Sequence, residues 1–67
     1  MENLTDDLLR RAIGAIGVDV AEMSKPDKTR VVKDLESRGF FLIKESVELA
    51  ARTLGVSRYT IYNYLNE

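Results

Sequence analysis

With 67 residues the chain has room for one domain, and at that length folding buries only about 60% of the surface the unfolded chain exposes, so modest stability is expected. Cysteine and histidine are both absent, which excludes disulfides, thiolate chemistry and a zinc site built from Cys or His ligands. The net charge is −1, but residues 1–23 are acidic (Arg10 and Arg11 against Glu2, Asp6, Asp7, Asp19 and Glu22) and residues 24–67 are mildly basic.

The first predicted helix runs from about residue 4 to residue 16. Asn3 or Thr5 can cap it, Asp6 and Asp7 lie at its positive end, and Arg10 and Arg11 follow, an order that suits the helix dipole. Leu4, Leu8, Leu9, Ala12, Ile13 and Ile16 share one apolar face. That face either packs on the other helices or serves residues 1–23 as a connector or dimerisation helix. Gly14 and Gly17 do not make a phosphate loop, because no strand precedes them and no Lys-Ser/Thr pair follows; they mark a loosened helix end. Between Val18 and Met23, Asp19 and Glu22 are placed to cap a single helical turn.

The second predicted helix opens on Ser24-Lys25-Pro26-Asp27, which supplies a capping hydroxyl, a proline in the first turn and an acid at the third position. It should run to about residue 38, bury Val31, Val32 and Leu35, and stop at Gly39. Lys25, Lys28, Arg30, Lys33 and Arg38 are expected on its outer surface. Asp27, Asp34 and Glu36 interrupt them, so a solvated face is favoured over a phosphate-binding one. Gly39–Ile43, GFFLI, is the most apolar stretch and too short for a helix of its own. It is expected to be an extended, buried connector with Phe40 and Phe41 in the core rather than stacked on bases.

Two short helices then follow in close succession, over 46–54 and 57–66. Val47, Ala50, Ala51 and Leu54 recur on one helical face, with Ser46 as the expected N-cap. Gly55 can adopt the left-handed conformation that ends a helix, and the apolar Val56 tucks under the turn. Ser57 is placed to cap the second helix, where Ile61, Tyr64 and Leu65 repeat at the spacing of a buried face, Tyr64 included. Helices joined so tightly cross at about 90–120°, and the small Ala51 suits the point where their backbones approach. Tyr59, Tyr62, Asn63 and Asn66 then fall on the outward arc, with Arg58 and Thr60 at the helix tip.

Ala51, Gly55, Val56, Ser57 and Ile61 together resemble the helix-turn-helix of bacterial repressors and activators. The longer run GFFLIKESVELAARTLGVSRYTIYNYL, with Lys28, Val31, Val32 and Leu35 before it, is similar to the C-terminal DNA-binding domain of the YheO-like (DauR-like) transcriptional regulators. The resemblance covers about 40 residues well, and the N-terminal 23 fit it more loosely, as a joining helix. It implies a transcription factor in which a PAS-like sensory domain usually precedes this one. Whether the chain is an excised piece of such a protein or a stand-alone binder is left open by the sequence.

The expected architecture is all-α: a small bundle of four helices (about 4–16, 24–38, 46–54 and 57–66) ending in a helix-turn-helix over 24–67, with no wing because only two residues follow Leu65. The expected partner is double-stranded DNA, bound as a homodimer because one recognition helix reads too few base pairs. In that arrangement Arg58, Tyr59, Thr60, Tyr62 and Asn63 read bases, Arg58 on guanine and Asn63 on adenine. Lys44, Ser46, Arg52, Thr53 and Ser57 contact phosphates. No cofactor, metal or small-molecule ligand is expected. No apolar run approaches the ~20 residues of a membrane span, and the opening MENLTDD is acidic where a signal peptide is basic, so a cytoplasmic protein is expected. The competing class is a helical interaction module using the tyrosine-rich last helix. An enzyme is the weakest class, since no paired carboxylates stand in a suitable setting and so small a chain offers little cavity.

Overall fold

The computed structural model describes residues 4–67. Its elements are α1 (Leu4–Ile16), a 3-10 turn at Val20–Glu22, α2 (Lys25–Ser37), a second 3-10 turn at Phe40–Leu42, α3 (Ser46–Leu54) and α4 (Arg58–Asn66). Among the described residues there is no strand, so the all-α bundle of four helices stands, with bounds within a residue or so of those expected.

Local chemistry accounts for most of these boundaries. The Ser24 hydroxyl accepts from the Asp27 N–H at 3.4 Å, while the Ser24 N–H donates to the Asp27 carboxylate at 3.2 Å, a reciprocal capping box with Pro26 in the first turn. Gly39, at φ 78°, ends α2 in the left-handed region that only glycine enters at little cost. In α1 the Asp7–Arg11 pair closes at 3.1 Å, one turn apart and exposed, worth a few tenths of a kcal/mol at most.

The core is assembled around α2, which packs against both α1 and α4. Val31, Val32 and Leu35 of α2 are fully buried. Around them lie Leu9 and Ala12 of α1, Met23, Phe40, Ala50, Ala51 and Leu54 of α3, and Ile61 and Tyr64 of α4. Leu8, Ile13 and Ile16 pack at the edge of this core.

Several expectations need correction. Leu4 is 62% exposed and does not share the buried face of α1. Thr5 lies inside the helix and is buried, so it does not cap it, and Asn3 lies outside the described residues. Asp19 precedes its 3-10 turn without a side-chain capping bond. The GFFLI stretch is not extended: Phe40–Leu42 winds into a 3-10 turn, with Ile43 N–H bonded to Phe40 C=O at 3.1 Å. One turn cannot bury three consecutive apolar residues on the same side. Phe40 therefore enters the core, Phe41 packs edge-on against it at 5.0 Å, and Leu42 is left 91% exposed.

The basic face of α2 is also less free than its sequence suggests. Lys33 turns inward and donates to the Leu65 carbonyl at 2.8 Å, Lys25 pairs with Glu67 at 3.3 Å, and Arg38 pairs with Asp34 at 3.0 Å. Leu65 is in the last turn of α4, where carbonyls lack helical partners, so Lys33 satisfies one of them and places a cation at the negative end of the dipole.

Candidate nucleic-acid interface

The turn between α3 and α4 is fixed by its own backbone. Gly55 takes φ 69°, its N–H reaches the Arg52 carbonyl at 3.3 Å, and the Val56 N–H reaches the Ala51 carbonyl at 2.9 Å. This is the Schellman pattern, and Val56 is partly buried against the core beneath it. Two residues later Ser57 caps α4: its hydroxyl accepts from the Thr60 N–H at 3.1 Å, and its carbonyl accepts from the Ile61 N–H at 3.1 Å. The start of α4 is thus held at both sides of the turn, while Ile61 and Tyr64 anchor its inner face in the core.

The opposite face of α4 is presented to solvent. Tyr59 is 83% and Tyr62 52% exposed, and Arg58, Asn63 and Asn66 are exposed with them. Arg58, Tyr59 and Tyr62 line a shallow depression of about 380 Å³. Four of the five expected base-reading residues, Arg58, Tyr59, Tyr62 and Asn63, therefore share one open surface. The fifth, Thr60, is half-buried at the flank, with its hydroxyl 3.0 Å from that of Ser57.

The expected phosphate contacts separate into two groups. Lys44 and Arg52 are exposed and line the same cleft of about 290 Å³ beside the start of α3. Thr53 is half-buried, and the Ser57 hydroxyl is engaged in its cap. Ser46 is the clear correction. It is not the N-cap of α3 but its first residue, 2% exposed, and among the described residues its hydroxyl has no hydrogen-bond partner in the protein. The capping position falls to Glu45, which adopts the left-handed conformation at φ 64° and makes no side-chain cap. With its side chain inside the core, Ser46 presents no hydroxyl to a phosphate.

One contact escaped the sequence reading. Glu48, in the first turn of α3, reaches across the turn to Arg58, with Oε1 3.3 Å from Nη1. Both side chains are more than half exposed, so the pair itself is weak. An acid at this position is legible as a dipole complement; its partner ten residues away is not.

Two helices joined by this turn, the second capped and presenting an open polar face, define a helix-turn-helix protein. The chain belongs to the HTH domain family, whose model matches residues 4–66. It is also similar to an uncharacterized protein of Haemophilus influenzae, at 28% identity over all 67 of its residues. The chain spans only 30% of that relative's length. No solved structure matches it. Membership in a helix-turn-helix family implies DNA binding as the general function.

Proposed function

We propose that this chain is the DNA-binding unit of a bacterial transcriptional regulator of the YheO-like type, reading operator sequence with α4 in the major groove. The observation that carries this reading is the outward face of α4. Arg58, Tyr59, Tyr62 and Asn63 stand together in solvent at the end of the helix that the turn holds in place, the end that enters the groove in helix-turn-helix complexes. Arg58 supplies the fork that matches guanine O6 and N7, Asn63 the amide that matches adenine, and the two tyrosines apolar edges for thymine methyls or hydroxyls for phosphates. Lys44 and Arg52, sharing one cleft at the start of α3, are the phosphate contacts.

The working unit is a homodimer placing two α4 helices about 34 Å apart, since one helix reads too few base pairs for genomic selectivity. The apolar face of α1 is taken up by the core, so within residues 1–23 it is the exposed side of α1, Leu4 included, that serves as connector or dimer seam, and a PAS-like sensory domain completes the regulator. The greater length of the Haemophilus relative supports a multidomain protein. Among the described residues no helix is long and apolar enough to cross a membrane, and we place the protein in the cytoplasm with its DNA. No enzymatic activity is proposed.

Mapping amide shifts by NMR while a random-sequence duplex is added tests this reading. Shifts should concentrate in residues 57–63 and at Lys44 and Arg52. Shifts confined to α1, or none at all, contradict it. The second reading, a protein-interaction helix, draws on the exposure of Tyr59 and Tyr62. It predicts no response to DNA, and association through a surface that Tyr59→Ala or Tyr62→Ala disrupts.

A further inference from the structure

Glu48 is out of place on a surface that approaches a polyanion. It lies on the exposed side of α3, and its carboxylate meets the guanidinium of Arg58, the residue best suited to read guanine. Dipole complementarity at the start of α3 accounts for an acid there, but not for its reach across the turn. Both groups line one groove of about 350 Å³ with Tyr62, so a DNA atom that meets Arg58 from that groove comes close to Glu48 as well.

We infer that Glu48 is a specificity-determining residue that biases Arg58 toward base edges and away from phosphates, an inference that rests on the DNA-binding reading above. The reason is electrostatic. An unaccompanied guanidinium gains from any phosphate it meets, whatever the sequence, through charge neutralisation and counterion release. With a carboxylate 3.3 Å from Nη1, that gain is offset by repulsion between carboxylate and phosphate. Guanine O6 and N7 are neutral acceptors and meet far less repulsion, while the rest of the guanidinium fork stays free to donate to them. Glu48 therefore lowers non-specific affinity more than specific affinity, which raises the ratio between them.

The test is a double-mutant cycle on the 67-residue chain, comparing wild type, Glu48→Gln, Arg58→Ala and the double variant. Each is titrated with a random-sequence duplex and with a duplex selected on the wild-type chain. Glu48→Gln keeps the size and polarity of the side chain, and thermal melting of each variant confirms folding. Glu48→Gln is expected to tighten binding to the random duplex by about two- to fivefold, the range open to an exposed ion pair, and to lower the selected-to-random ratio by a similar factor. Glu48 also lines the cleft of Lys44 and Arg52, so in the Arg58→Ala background the same substitution should still tighten both duplexes, alike and by clearly less than in the wild type. Equal tightening in both backgrounds means a general charge effect and overturns the inference. Weaker binding of Glu48→Gln to the random duplex overturns it too, because Glu48 would then support the contact. A folded wild-type chain that binds neither duplex overturns the DNA-binding reading itself and this inference with it.

Discussion

Replacing Lys33 with methionine removes an ammonium but keeps an unbranched apolar stem of similar length. The lost interaction is the 2.8 Å hydrogen bond to the Leu65 carbonyl, partly buried between α2 and α4. Hydrogen bonds to charged groups contribute about 1.5–3 kcal/mol, and partial access of water to both ends brings this one to the low end or below, about 1 kcal/mol. For a domain this small, 1 kcal/mol corresponds to a fall in melting temperature of about 4–8 °C. The loss is local as well as global, because the last turn of α4 loses the cation that satisfies it. Amide exchange in residues 64–67 should therefore accelerate more than exchange in α1. Thermal melting followed by circular dichroism, with hydrogen exchange by NMR, reads both effects. Unchanged melting and unchanged exchange in the last turn of α4 would refute the reasoning, leaving Lys33 as the solvated surface lysine its sequence context suggests.

Ser46→Ala separates two descriptions of the start of α3. A working N-cap would cost about 1 kcal/mol on removal, whereas deleting a buried hydroxyl without a partner should stabilise the fold by up to about 1 kcal/mol, and a rise in melting temperature is expected. Ser57→Ala removes a cap that does form, so a loss of about 1 kcal/mol is expected in chemical denaturation, together with weaker DNA binding as the first turn of α4 frays. Gly55→Ala places a side chain on a backbone at φ 69°; nothing lies within 4 Å of the new Cβ, so the cost is the left-handed strain alone, about 1–2 kcal/mol by the same assay.

The helix boundaries were legible because capping is local. The Ser24–Asp27 box, Gly39, Gly55 and Ser57 each act within about one turn of themselves, and a short window of sequence holds every atom involved. The open face of α4 was legible for a related reason, since Ile61 and Tyr64 fix which side is buried and thereby which is not. Phe40–Leu42 was misread because an apolar run carries no period, and an extended connector and a 3-10 turn differ only in backbone angles. Ser46 looked like a cap because serine favours that position; the left-handed Glu45 before it, which glutamate seldom tolerates, moves the helix start by one residue and turns the hydroxyl into the core. Lys33 with Leu65 and Glu48 with Arg58 depend on how separate helices are set against each other, which no local pattern encodes.

Titration of the chain at two salt concentrations with a duplex selected on the wild-type chain, for wild type and Arg58→Ala, tests the central claim most directly. Salt-sensitive binding that Arg58→Ala weakens, by an amount within the ~1–3 kcal/mol of a base-reading arginine, is the predicted result. A folded wild-type chain that shows no binding at low salt and high protein concentration, or binding that Arg58→Ala leaves unchanged, would contradict a groove-reading α4.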